Sequence, residues 1–132
     1  AGIVGVGFDN NHAIGKSVRM PTVPVRKVLK DFEAPQTIDY LSLDVEGAED
    51  LVLSSFPFDT HTVLVISIER PTKYAVDTLK NRGFLYLRSL PPFKLRADDE
   101  MWVHSSLPNV HNVLATLGNP EPEVREHWVK PA

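Results

Sequence analysis

The segment TIDYLSLDVEGAEDLVLSSF (residues 37–56) begins as an apolar strand and ends as an apolar helix. Between the two stand Asp44, Glu46, Glu49 and Asp50, four carboxylates within seven residues. In open sheets flanked by helices, ligands gather beyond the carboxyl ends of the parallel strands. Asp44 occupies such an end, and Gly47 lets the backbone turn sharply into the helix that follows. The structural alternative is capping, with Asp44 as the cap and the other acids in the first turn, beside the positive end of the macrodipole. Each charge there contributes only about 0.3–1 kcal/mol, and one or two acids supply it. Four exceed that need, so both readings stand at this point.

Working outward, the helix expected from Gly47 onward turns Ala48, Leu51, Val52 and Phe56 inward. Residues 62–69 (TVLVISIE) form an almost unbroken β-branched and aliphatic run. Apolar side chains on both faces imply a strand covered on both sides, as in the centre of a parallel sheet. Glu69 ends this run as Asp44 ends the previous one. If the strands are neighbours, the two carboxylates share a crevice where they can take a proton, hold a divalent cation or hydrogen-bond a polar ligand.

Downstream, RPTKYAVDTLKNRGF predicts a helix stopped at Gly83. FLYLRSL and EMWVHSS read as two strands with no helix between them, suited to antiparallel pairing. Upstream, VPVRKVLKDFEAP places Val25, Val28, Leu29 and Phe32 on one helical face, ended by Pro35. Residues 18–23, with Pro21 and the following Pro24, form an extended piece leading into that helix, and residues 1–8 form a short strand. NVHNVLATLG predicts a short helix in the tail. Alternating strands and helices imply crossover connections and an α/β sheet.

The chain has 132 residues, room for one domain with one core. Apolar and charged fractions of 42% and 23% are those of a globular protein. A net charge of -3, with no basic stripe carrying interleaved aromatics, argues against nucleic acid as a partner. There is no cysteine, which excludes disulfides and thiolate metal sites. No apolar stretch reaches the ~18 residues of a membrane span, and no targeting segment is recognisable, so the sequence assigns no cellular location. Three lesser motifs read as structural. Gly5 and Gly7 lack the third glycine of a phosphate loop. His12, His61, His104, His111 and His127 show no metal-ligand spacing. The acids of ADDEMWVHSS (residues 97–106) read as a solvated loop ahead of a strand.

IDYLSLDVEGAE (residues 38–49) is similar to the signature of FkbM-type methyltransferases, which reads close to I-D-x-L-x-x-D-x-E-G-x-E. The flanks agree: TVPVRKVLKDF before the strand, VLVISIERPT as the next strand ending in Glu, LKNRGF at a helix end, and DDEMWVHSS as the closing strand. The resemblance implies a Rossmann-like class I methyltransferase sheet, in its carboxyl-terminal portion, mostly parallel with a terminal antiparallel strand pair. It implies transfer of a methyl group from S-adenosylmethionine to an acceptor, usually an oxygen. The family's glycine-rich donor loop and ribose-binding acid have no counterpart in this chain, so the donor-binding residues stay unassigned. Residues 1–107 are accordingly expected to form a partial methyltransferase domain, and residues 108–132 a tail.

Within that resemblance Asp44 is the leading catalytic candidate, as a base or as the ligand of a divalent cation. Glu46 orients its neighbourhood or the acceptor, and Glu69 borders the acceptor pocket. Glu49 reads as first-turn electrostatics. An ordinary carboxylate is a weak base for an alcohol, and a cation would lower the alcohol's pKa. The acceptor is a small-molecule, glycan or lipid hydroxyl. Two other readings are a binding domain that keeps the fold without the donor site, and a metal-assisted hydrolase. By itself the chain is expected to bind no S-adenosylmethionine in a calorimetric titration; a micromolar dissociation constant would overturn this expectation.

Overall fold

The apolar runs of residues 37–43 and 62–69 become β1 (Thr37–Leu43) and β2 (Thr62–Glu69), paired in parallel with Leu41 opposite Ile66 and Leu43 opposite Ile68. These and the following elements come from a computed structural model that describes residues 3–4, 16–90 and 99–122. α1 (Val25–Asp31) precedes β1, and α2 (Glu49–Ser55) crosses from β1 to β2. α3 (Lys73–Asn81) leads to β3 (Phe84–Ser89), β4 (Asp99–His104) and α4 (Val110–Leu117). No helix among the described residues is long and apolar enough to cross a membrane.

The sheet order is β1-β2-β4-β3. It is a mixed sheet, not the mostly parallel one expected: β1–β2 is the parallel ladder, while β4 pairs antiparallel with both β2 and β3. The difference lies in β4, which fills the slot beside β2 with Trp102 opposite Ile66. β3 is thereby displaced to the edge. The expected antiparallel pairing of the last two strands is present.

One face of the sheet carries the main core. Leu43, Ile66, Ile68 and Trp102 pack against Leu53 and Phe56 from α2 and its end, and against Ala75, Val76 and Leu79 from α3. On the other face Leu87, Val103 and Val110 form a smaller cluster beneath α4. That cover is partial: on β1, Tyr40 is 54% exposed. After α4 the chain returns to the edge strand, where Asn119 N–H donates to the Leu87 carbonyl (2.8 Å) and Lys80 pairs with Glu121 (2.8 Å).

Two helices differ from their expected faces. α2 begins at Glu49 because Glu46 and Gly47 take positive φ values of 56° and 93°, incompatible with helix. Its buried stripe therefore runs through Leu53 to Phe56, while Leu51, expected inside, is 56% exposed. In α1, Val25 and Leu29 touch the core, but Val28 is exposed and Phe32, past the last helical turn, is 81% exposed. The piece expected to be extended before α1 forms no ladder, and the expected strand at residues 1–8 falls largely outside the described residues.

The predicted stop of α3 is present. Arg82 is the C-cap, and Gly83 takes φ 85°, its N–H donating to the Lys80 carbonyl. The end of β4 is clipped onto this turn. His104 Nδ1 accepts from Ser106 N–H (3.2 Å), so the ring proton sits on Nε2 and donates to the Arg82 carbonyl (3.1 Å). A Cβ on Gly83 would lie 3.3 Å from both His104 Nε2 and Ser105 Oγ. Gly83→Ala is therefore expected to destabilise the fold by about 1–2 kcal/mol, through the left-handed backbone and the crowded clip together, measured by chemical denaturation.

Candidate active site

The register that pairs Leu43 with Ile68 carries Asp44 and Glu69 out of the sheet side by side. Asp99, at the start of β4, lies opposite Glu69 on the other side. At this end of β1 and β2, called the mouth below, the charges of Asp44 and Glu69 act on one another. Burial pushes the Glu69 carboxyl above its usual pKa of 4.5. Arg70 opposes this through a hydrogen bond and its charge, while the charges of Asp44 and Glu49 add to the rise. Arg70 grips a single oxygen, Oε1, through Nε at 3.1 Å and Nη2 at 2.9 Å.

Both turns that leave the mouth contain a non-glycine residue in the left-handed region, Glu46 (φ 56°) after β1 and Arg70 (φ 41°) after β2. Such conformations persist only where the surroundings hold them, and they gather at functional sites. For the first turn the holding group is Glu49. Only 4% exposed, its Oε1 accepts from Val45 N–H (3.0 Å) and Gly47 N–H (3.2 Å). For the second it is Asp50, whose two carboxylate oxygens accept from the Thr72 hydroxyl at 2.7 and 2.9 Å. Thr72 Oγ1 in turn accepts from Ala75 N–H and caps α3.

The four acids thus divide. Asp44 does not cap α2: the N-cap is Ala48, with no side-chain cap bond. Glu49 is more than first-turn electrostatics, because it locks the turn from inside. Asp50 joins the two helices that follow the two strands. Asp44 is exposed and Glu46 half-buried, and neither side chain hydrogen-bonds another described residue. These two acids are the ones left for a ligand.

Sequence reasoning missed a row of hydroxyls leading to the mouth. Tyr40 and Ser42 on β1 lie opposite Val65 and Ser67 on β2 and share the face of Asp44 and Glu69. Tyr40 Oη and Ser67 Oγ are 2.6 Å apart, and Ser67 donates to Ser42 Oγ (3.2 Å). The signal was there in the polar residues at alternate positions of strands otherwise read as apolar. The acids after residue 97 also differ from a solvated loop. Asp99 and Glu100 begin β4, and Glu100 is 0% exposed, accepting from Trp102 Nε1–H at 3.0 Å.

Among the described residues no three His, Cys, Asp or Glu side chains are placed to hold a metal ion together. Asp44 therefore has no partner set for the divalent cation considered above. Of the histidines, His104 is committed to its clip and His61 hydrogen-bonds Thr60, while Gly5, Gly7, His12 and His127 lie outside the described residues. What remains is a mouth with one exposed carboxylate, one carboxyl of raised proton affinity and an open shelf of hydroxyls. Its geometry hangs on Glu49. Glu49→Ala strands two buried amides and is expected to cost about 2–4 kcal/mol in denaturation, with Glu49→Gln losing roughly half as much.

Comparison with known proteins bears on what this mouth does. Neither the curated proteins nor the solved structures contain a significant match to the chain. The model of one family does match, over residues 7–90, a span that takes in α1, the acidic turn, the mouth and β3. The chain belongs to the FkbM methyltransferase domain family.

Proposed function

We propose that this chain forms the acceptor side of an S-adenosylmethionine-dependent methyltransferase that methylates a hydroxyl oxygen. The observation that carries the reading is the register of β1 and β2, which sets Asp44 beside a Glu69 of raised proton affinity. S-adenosylmethionine would supply, when bound, an electrophilic methyl group on a sulfonium, whose carbon–sulfur bond breaks on transfer to leave a neutral thioether. The negative charge of Asp44 suits a cationic donor at the mouth. The described residues hold no glycine-rich strand–turn–helix for adenosine, so none is assigned to the donor.

The residues present act on the acceptor. A hydroxyl-bearing molecule lies along the shelf, hydrogen-bonded by Tyr40 and Ser42, which the buried Ser67 hydroxyl holds in place, with its reacting oxygen at the carboxylates. As the new carbon–oxygen bond forms, the hydroxyl proton passes to a carboxylate. Glu69 suits that step, because a base works best when its pKa approaches the working pH. Arg70 holds Oε1 of Glu69 and keeps the side chain in place. Asp44 raises the affinity of Glu69 for the proton and orients the acceptor. Glu46, on its strained turn, borders the entrance. Sugar, lipid-headgroup and other small-molecule hydroxyls all satisfy this chemistry.

The test is transfer of labelled methyl to hydroxyl acceptors by the full-length protein. The rate is expected to fall on acidification, with a midpoint above the ordinary carboxylate value, since Glu69 must be ionised to act. Glu69→Gln is expected to abolish that limb and to reduce kcat by about 100-fold or more. Asp44→Asn removes a charge that raises the Glu69 pKa, so the limb moves to lower pH while kcat falls. Unchanged rates and pH profiles in both variants would overturn the assignment.

A further inference from the structure

A cavity lies at the opposite end of β1 and β2, where the strands begin. It is a groove of about 540 Å³ between α1 and the loop that enters β2, within the range of small-molecule sites. Its α1 wall presents Arg26, Lys27 and Lys30. Lys27 is neutralised by Asp31 one helical turn on. Arg26 and Lys30 have no ion-pair partner among the described residues. They stand at i and i+4, where like charges repel, and an anion between them removes that repulsion.

The facing wall adds polar groups. Thr60 and His61 line it, with Thr60 Oγ1 and His61 Nδ1 2.9 Å apart, so the other ring nitrogen is left without a partner among the described residues. Asp59 is the single unpaired acid of the lining, so two free cations and a titratable ring face one carboxylate. This local positive excess runs against a chain whose net charge is -3. Guanidinium, ammonium, hydroxyl and imidazole around a small groove form the donor set that phosphate oxygens require.

We propose that the groove is a binding site for the phosphate group of a small molecule, separate from the acidic mouth. Its occupant is either free phosphate or a phosphate monoester whose organic part fills the rest of the groove. The test titrates the full chain with inorganic phosphate and, in a parallel arm, with glycerol phosphate, at low ionic strength, followed by calorimetry or by amide shifts of α1 and residues 59–61.

Saturable binding is expected in at least one arm, with affinity falling at least tenfold in the Arg26→Gln/Lys30→Gln double variant. Both side chains are exposed, so the fold is expected to survive, as circular dichroism will show. Lys73→Gln, which removes an exposed cation elsewhere, is expected to leave affinity within twofold. Tighter binding of the ester identifies an organic phosphate as the occupant, and equal binding identifies the free anion. Absence of saturation in both arms, or equal affinity in the double variant and the Lys73→Gln control, overturns the proposal.

Discussion

A buried carboxylate is tolerated only where hydrogen bonds replace its lost water. Glu49 meets that condition with two amides of the turn leading into its own helix, so carboxylate and turn depend on each other. Unless Glu46 and Gly47 follow their left-handed path, the amides do not converge on Oε1. The carboxylate in turn holds Glu46 in a conformation that ordinary residues avoid. The next residue, Asp50, reaches across to Thr72 and steadies the turn after β2. Two successive acids in one helical turn thereby brace both walls of the mouth.

This division of labour explains what was legible in the sequence. The strands β1 and β2, the stop at Gly83 and the placement of Asp44 and Glu69 at neighbouring strand ends all follow from local rules: apolar runs, glycine's tolerance of positive φ, and the ends of parallel strands. The roles of the four acids do not. Spacing alone cannot separate Glu49, turned inward, from Asp44, turned out, because the difference arises from two positive-φ residues that delay the helix. The same delay moves burial from Leu51 to Leu53. Insertion of β4 beside β2 was invisible for another reason: strand order is set by long-range pairing, here Trp102 against Ile66, which no local pattern encodes.

The two edges of the sheet are managed differently. At β3 the chain after α4 closes over the edge with a backbone hydrogen bond and an ion pair. β1 has no ladder partner on its outer side among the described residues, and the chain ahead of it shows Val18, Met20, Val23 and Phe32 to solvent. An uncovered strand edge with apolar neighbours is a surface for further chain or for a partner. The hydroxyl shelf lies on this open half, beyond the reach of the cluster beneath α4.

Net charge alone hides how the charges are arranged. Acids collect where β1 and β2 end, and unpaired cations collect where they begin. β2 is 8 residues long, so the two groups stand roughly 25 Å apart at the rise of an extended strand. That separation exceeds the screening length of about 8 Å at physiological salt, so each end presents its own field. On the proposed readings, a cationic donor suits one end and an anion the other. On the same readings, the separation keeps a phosphate at Arg26 and Lys30 away from Glu69, whose raised proton affinity arises from burial, against the pull of Arg70, with the charges of Asp44 and Glu49 adding to it.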